Sequence, residues 1–170
     1  MSKSEWRVPV RVEDIPETGR RYELAADEAT RNALGPAAGV DRLARFEAVF
    51  DVMRHGRDGL HVVGTVSATI GQTCVVTLEP METELEERVD LTFLPGHEAD
   101  GRHEVEGREP PESLIDGIVD LGAIATEFLL LGIDPYPRKP GAVFDSPPTD
   151  DPASHPFAAL AALKTGKPER

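Results

Sequence analysis

Apolar and polar residues alternate through most of the first hundred positions of the chain, and this pattern predicts β-strands. The predicted strands are residues 6–12, 20–25, 41–54, 60–70, 73–78 and 82–94. In the strand at 41–54, Ala44, Phe46, Ala48 and Phe50 fall on one face, which is expected to point into the core. Short turns join consecutive strands, and this favours an antiparallel meander over a parallel sheet.

Two helices are predicted inside this pattern. Asp27 is a suitable N-cap for a short helix, and Gly35-Pro36 is expected to stop it. Asp120 caps a second helix, near 120–133, which has a broad apolar face and is expected to pack on the sheet. The predicted fold class is therefore α+β, an antiparallel β meander in a partly closed, barrel-like sheet, with the helix near 120–133 packed on it and short terminal helices.

Composition divides the chain into a domain and a tail. Residues 1–144 are predicted to form a single α+β domain with an acidic, Gly- and Pro-rich loop at 95–112. A flexible linker at 145–155 and a short amphipathic helix at 156–164 follow. The apolar side of this last helix is made of Phe157, Leu160, Ala161 and Leu163. Such a side can dock either in a groove of a partner or on the chain's own domain.

The net charge of −13 is unevenly distributed, since residues 79–120 hold 3 basic and 14 acidic residues. Nucleic acids are bound through Lys and Arg at their phosphates, so the overall field of this protein does not attract DNA or RNA. It favours solubility, or a basic partner such as a ribosomal protein. The flanking segments are nearly neutral, and local basic contacts are therefore still possible there.

The sequence indicates a soluble, cytoplasmic protein. Its single cysteine, Cys74, excludes an internal disulfide and fits a reducing compartment. The N-terminus has no apolar region typical of a signal peptide. No apolar run reaches the ~18 residues that a membrane-spanning helix needs, so no membrane is expected among the partners.

No set of residues has the pattern of an enzyme's active site. Cys74 is predicted to lie in mid-strand between apolar neighbours, where a thiol packs rather than reacts. The five histidines have no metal-ligand spacing, and no pair of the many carboxylates stands out as an acid and a base. We therefore expect no catalytic residue, no bound metal and no cofactor.

The segment DPYPRKPG, at 134–141, is the most unusual stretch of the chain. Its three prolines exclude a helix and make it stiff. A stiff segment can present Tyr136, Arg138 and Lys139 to a partner at a low cost in entropy, and this combination suits an RNA base and its phosphates. Alternatively, the segment is a rigid wrap that packs its prolines and tyrosine on the domain.

Three segments in order resemble the YceD family, the large ribosomal RNA subunit accumulation proteins. They are GQTCVVTLEP at 71–80 with the acidic strand that follows, the stretch 119–141, and HPFAALAALK at 155–164. The middle segment is similar to the alphaproteobacterial branch of the family. In many relatives a Cys-x-x-Cys motif begins at the position of Cys74, further cysteines follow the helix, and the four together can hold zinc. Here Thr77 replaces the second cysteine, so no metal is carried over and Cys74 is expected to be structural.

The resemblance implies a non-catalytic factor for the synthesis, processing or accumulation of 23S rRNA and for assembly of the large ribosomal subunit. The expected partners are 23S rRNA or its precursor, contacted directly or indirectly, and a large-subunit ribosomal protein. Alternatively, the acidic segment at 79–120 is an adaptor that holds a basic ribosomal protein and does not touch RNA.

Overall fold

The computed structural model of the protein describes residues 6–96 and 111–145. Seven strands and two α-helices lie in these ranges. They are β1 Pro9–Arg11, β2 Arg20–Ala25, α1 Glu28–Ala37, β3 Arg42–His55, β4 Gly59–Thr73, β5 Pro80–Pro95, β6 Glu112–Leu114, β7 Ile118–Asp120 and α2 Leu121–Gly132. Most of the predicted loop at 95–112, nearly all of the predicted linker at 145–155 and the predicted helix at 156–164 lie outside the described residues. No helix within the described ranges is long and apolar enough to cross a membrane.

Strands β2, β3, β4, β5 and β6 form one sheet in that spatial order, and β1 pairs with β7 in a separate ribbon. The pairs from β2 to β5 are antiparallel, as predicted, and β6 runs parallel to the end of β5. The α+β class is confirmed, but the barrel-like closure is not. Among the described strands β2 and β6 are edges of an open sheet, and β6, with three residues, pairs only with the end of β5.

One face of the sheet carries the hydrophobic core, and α2 covers part of it. Phe46 and Phe50 of β3 are 1% and 0% exposed, as the alternation predicts. On α2, Leu121, Ile124 and Leu129 are buried and pack toward β4 and β5. Full burial of such a side chain contributes roughly 1.5–3 kcal/mol, so apolar packing holds the helix on the sheet.

A β-bulge alters the alternation at the start of β3. The register shifts between Leu43 and Arg45. As a result Leu43 is buried, at 5% exposure, whereas Ala44 is only half-buried. The prediction that Ala44 shares the core face with Phe46 is therefore wrong. The extra residue of a bulge inverts the two faces of the strand on its N-terminal side, and the sequence pattern does not reveal it.

Helix α1 begins where it was predicted but ends later. Oδ1 of Asp27 accepts a hydrogen bond from the Thr30 amide at 2.8 Å, which confirms the N-cap. The helix continues past Pro36, so the predicted stop there is wrong. A proline in the last turn removes only one helical hydrogen bond, and the Ala38 amide closes that turn by donating to the Leu34 carbonyl at 2.8 Å.

A tight two-residue turn that the sequence analysis missed joins β6 to β7, although the two strands belong to different sheets. The Ile118 amide donates to the Ile115 carbonyl at 3.0 Å, and the two residues between them, Asp116 and Gly117, have φ angles of 52° and 69°. An Asp-Gly pair between apolar residues is a strong hairpin signal that was available in the sequence. β1 is shorter than the strand predicted at 6–12, because its partner β7 has only three residues.

Asp120 caps α2, as predicted, and also fixes the N-terminal segment. Its Oδ1 accepts hydrogen bonds from the amides of Gly122 and Ala123 at 3.1 and 3.2 Å, and from the Val8 amide at 2.8 Å. At the other end of the helix, Gly132 lies so close to β5 that an added Cβ would meet the side chain of Leu85. The last turn of α2 is thereby directed toward the loop that joins β4 to β5.

Candidate functional site

The candidate site lies at the connection from β4 to β5, in a turn formed by residues 74–79, here called the Cys74 turn. The Cys74 amide donates to the Glu79 carbonyl and the Leu78 amide donates to the Cys74 carbonyl, both at 2.9 Å. Leu78 has a φ angle of 59°, in the left-handed region. The two hydrogen bonds close a compact turn in which the Glu79 backbone meets that of Cys74.

The Cys74 turn corrects two predictions. The strand predicted at 73–78 is wrong, because the chain turns at Cys74. The gap at Gly71-Gln72 between the strands predicted at 60–70 and 73–78 is also wrong, because β4 is continuous and Gly71 pairs with Arg42 on one side and Glu82 on the other. The sequence suggested a strand because Val75 and Val76 have high β propensity, and that preference is overridden by the hydrogen bonds of the turn.

The residues 134–141, here called the proline segment, lie against the Cys74 turn. Three hydrogen bonds hold them there. They join Gln72 Nε2 to the Asp134 carbonyl at 2.9 Å, the Val75 amide to the Pro137 carbonyl at 2.9 Å, and the Lys139 amide to Cys74 Sγ at 3.3 Å. The segment is not helical, as predicted. Two stretches about 60 positions apart in the chain therefore form one surface.

The three predicted contact residues have different surroundings in this surface. Tyr136 is 71% exposed and the Arg138 side chain is also exposed. Lys139 instead forms an ion pair, with its Nζ 2.8 Å from Oε2 of Glu79. The hydrogen bond and charge of Lys139 lower the pKa of Glu79 below its ordinary value. Tyr136 and Arg138 point outward, whereas Lys139 is engaged within the protein.

Pro137 supports the alternative interpretation of the segment as a rigid wrap. It is buried, and its carbonyl accepts the hydrogen bond from the Cys74 turn. Its neighbour Tyr136 does not pack on the protein and remains exposed. The proline segment therefore has features of both interpretations. Pro137 packs on the domain, whereas the adjacent Tyr136 is exposed and accessible to a partner.

The Cys74 thiol is fully buried and accepts two backbone hydrogen bonds. The donors are the amides of Thr77, at 3.5 Å, and Lys139, at 3.3 Å. Hydrogen bonds from the Thr77 side chain and from the backbone of Lys139 lower the pKa of Cys74 from 9.0 to about 6. A substrate cannot reach a thiol with no exposed surface, so the arrangement favours a structural role over a nucleophilic one.

The ligand set at this position does not fit zinc. A structural zinc ion takes four Cys or His ligands, and Cys74 is the single cysteine of the chain. Thr77 stands where the second thiol of a Cys-x-x-Cys pair would be, and it donates a hydrogen bond to Cys74. Across the described ranges, no group of three or more His, Cys, Asp or Glu side chains is arranged to hold a metal ion. The turn and the proline segment are joined here by hydrogen bonds and the Lys139–Glu79 ion pair.

Sequence reasoning did not identify Glu79 or Leu78 as parts of this site. Glu79 is 60 positions from its partner Lys139, and no local pattern connects them. The left-handed backbone at Leu78 was also unexpected, since glycine or asparagine is the usual residue there.

The acidic residues of β5 lie on two faces of the sheet. Glu82, Glu84 and Glu86 alternate on the face away from the core, whereas Glu87 is half-buried on the α2 side. The carboxylate of Glu84 already has partners within the protein, because Arg45 Nη2 and Thr69 Oγ1 each donate a hydrogen bond to it at 2.7 Å. These bonds lower the pKa of Glu84. All three glutamates of this row are exposed, and among the described residues Glu82 and Glu86 have no ion-pair partner.

A shallow pocket of about 420 Å³ lies at the opposite end of the sheet, near the end of β3. Its walls carry three acidic residues, Glu13, Asp14 and Glu17, and two basic ones, Arg20 and Arg54. Arg54 is held in place, since its Nε donates to the Ile15 carbonyl at 2.6 Å. Because charges of both signs line the pocket, it has no strong selectivity for one charged ligand, and the Cys74 turn remains the better candidate.

The chain matches the family model described as "Large ribosomal RNA subunit accumulation protein YceD" over residues 62–164. The match includes most of β4 and all of β5, the Cys74 turn, α2 and the proline segment, and it covers more than half of the chain. The chain belongs to the YceD family. The alphaproteobacterial branch remains a prediction. No significant match was found among curated proteins or among solved structures.

Proposed function

We propose that this YceD family member is a non-catalytic factor that supports the accumulation of 23S rRNA and the assembly of the large ribosomal subunit. The family match over residues 62–164 is the observation that carries the proposal. The buried thiol of Cys74 and the internally paired Lys139 support it, because both have structural partners rather than free reactive groups. Ribosome assembly would place the protein in the cytoplasm, without a membrane, DNA or a cofactor.

Deletion of the gene, followed by measurement of the ratio of 23S to 16S rRNA, tests this proposal. The ratio is expected to fall in the deletion strain and to recover when the wild-type gene is returned. An unchanged ratio during exponential growth would reject the function. Purified protein incubated with precursor rRNA and Mg²⁺ is expected to leave the RNA intact, and specific cleavage would reject the non-catalytic part.

We further propose that the protein contacts 23S rRNA or its precursor through Tyr136 and Arg138, with Lys139 in a supporting role. An exposed aromatic ring beside an exposed guanidinium suits stacking on an unpaired base and contact with a neighbouring phosphate. Lys139 holds the proline segment to Glu79 at 2.8 Å and thereby positions the other two side chains. A mobility shift with precursor 23S fragments at several salt concentrations measures this contact.

A second candidate is an acidic adaptor for a basic large-subunit ribosomal protein. The observation that favours it is the position of Glu82 and Glu86, which are exposed on a sheet face that no described helix covers. Reversal of both charges to Lys should abolish co-purification of the ribosomal protein. The matched control reverses Glu17 and Glu127, which are exposed elsewhere. Equal co-purification with both double variants would exclude the acidic row as the contact.

A further inference from the structure

Exposed apolar side chains are concentrated at one end of the structure. Nine large apolar side chains are exposed in the described part of the chain, and seven of them belong to the two stretches 75–78 and 130–144. These seven, here called the apolar patch, are Val75, Leu78, Leu130, Leu131, Tyr136, Val143 and Phe144. Single exposed apolar residues are ordinary, but a concentration of them marks a surface that is covered by something.

The two stretches are neighbours in space. The Val75 amide is bonded to the Pro137 carbonyl at 2.9 Å, next to Tyr136. The stretch from 130 begins in the last turn of α2, which is close to β5 at Gly132, and continues directly into the proline segment. The patch is therefore built from the Cys74 turn, the end of α2 and the residues that follow, on one end of the sheet.

We propose that the C-terminal segment at 156–164 of the same chain packs on the apolar patch. The chain leaves the described part at residue 145, immediately after Phe144, which is itself a member of the patch. The 13 positions from 144 to 157 can span at most about 45 Å when extended, so the whole patch is within reach. The family match extends to residue 164 and thus includes this segment.

The chemistry of the segment complements the patch. The sequence predicts a helix whose apolar side, Phe157, Leu160, Ala161 and Leu163, matches the leucines and aromatic rings of the patch. Three cations follow that run, at 164, 167 and 170. The exposed carboxylates of β5 begin three residues beyond the Cys74 turn and provide opposite charge beside the patch.

The tether favours this occupant over a second copy of the chain. A segment joined by a short linker has an effective concentration on the order of millimolar at a site within reach. Four prolines, at 147, 148, 152 and 156, are a composition that favours an extended spacer over a collapsed one. The inference rests on the fold and not on the proposed ribosomal function, but the two share Tyr136, so a segment packed over that ring would compete with an RNA base stacked on it.

Amide hydrogen exchange of the full chain, resolved by residue with NMR, tests the proposal. The reporters are the amides of Val75, Leu78, Tyr136 and Ala142, because each donates a hydrogen bond in the structure. The variant Leu160→Asp places a charge on the apolar side of the segment and should make these amides exchange severalfold faster. The matched control Ala162→Asp places the same charge on the opposite side and should leave their exchange unchanged.

Two results would overturn the proposal. In the first, Leu160→Asp and wild type exchange at the same rates at all four reporters. In the second, sedimentation shows a wild-type dimer that Leu160→Asp dissociates, which would make a second copy the occupant. The core amides of Phe50 and Val62 serve as the folding control, since both residues are fully buried and should stay protected in every variant.

Discussion

The backbone amide of Lys139 donates a hydrogen bond to Sγ of Cys74 at 3.3 Å, although 65 positions separate the two residues in the chain. The side chain of the same lysine pairs with Glu79 at the other end of the Cys74 turn. Lys139 therefore binds the turn at both ends. In the sequence Lys139 is a candidate phosphate contact, and in the structure it joins the proline segment to the Cys74 turn.

The first prediction concerns Cys74 Sγ, the hydrogen-bond acceptor that joins the turn to the proline segment. Cys74→Ala leaves the amides of Thr77 and Lys139 without their acceptor in a buried setting, so the urea midpoint of unfolding should fall. Cys74→Ser retains an acceptor, so its urea midpoint should fall less than that of Cys74→Ala. Urea titration followed by circular dichroism measures both. Equal midpoints for the two variants would show that the thiol acts by volume alone.

The second prediction is a pH dependence of stability. The pKa of Cys74 is lowered from 9.0 to about 6, so between these values the unfolded state binds more protons than the folded state. The free energy of unfolding contributed by Cys74 should therefore rise from pH 6 to pH 9 and be absent below pH 6. Urea midpoints of wild type minus those of Cys74→Ser, taken at several pH values, give this contribution. A difference that stays flat across the range would contradict it.

The third prediction concerns the ion pair between Lys139 and Glu79. A double-mutant cycle with Lys139→Ala and Glu79→Ala should give a small favourable coupling that high salt weakens, because the Glu79 side chain is 61% exposed. The pKa of Glu79 is lowered from 4.5, so this contribution is present above pH 4.5 and is lost as the pH falls below it. Coupling that is insensitive to salt would argue against a charge interaction.

The fourth prediction compares two exposed leucines. Leu78→Gly relieves a left-handed conformation that costs roughly 1–2 kcal/mol in an L-residue, against an entropic loss for glycine of about 0.5–1 kcal/mol. It should therefore raise the free energy of unfolding slightly. Leu131→Gly is the matched control, since this leucine is 72% exposed, like Leu78 at 77%, but lies in α2. Leu131→Gly should lower the free energy of unfolding by about 1 kcal/mol. A change of the same sign in both variants would refute the argument from the backbone conformation of Leu78.

The fifth prediction concerns RNA. If the proline segment contacts precursor 23S rRNA, Tyr136→Ala should weaken binding by about 1–3 kcal/mol through loss of stacking. Arg138→Ala should weaken binding and reduce the slope of affinity against salt by about one unit. Arg57→Ala is the control, because this exposed arginine lies in the turn at the other end of β4. Mobility shifts at three salt concentrations distinguish the variants, and equal effects at Arg57 and Arg138 would place the contact elsewhere.

The long strands and the helix starts could be predicted because their signals are local. The first and last residues of β2 are those predicted, at 20 and 25. Phe46 and Phe50 are buried, and Asp27 and Asp120 cap their helices, also as predicted. Alternation and N-cap chemistry act over a few residues, so they can be recognised without knowledge of distant contacts. The tight Asp-Gly turn at 116–117 was equally local, and recognition of that pair would have predicted it.

The errors at Leu43 and Cys74 have a different cause. A bulge decides which side of β3 faces the core, and the valines after Cys74 favour a strand until the proline segment supplies other partners. Whether the sheet closes into a barrel likewise depends on whether its edge strands β2 and β6 pair with each other, which they do not. These outcomes are set by strands and loops that are distant in the chain.

Sequence by itself determined that Cys74 lacks a second thiol, that acidic residues concentrate at 79–120, and that 134–141 is stiff and not helical. Only the tertiary structure decided that Lys139 is paired with Glu79, that Tyr136 is exposed, and that the turn and the proline segment form one surface. The physical reason is the distance along the chain over which each property is decided. Composition and backbone restriction are properties of neighbouring residues, whereas the partner of a charge or a thiol is chosen by the fold that brings distant segments together.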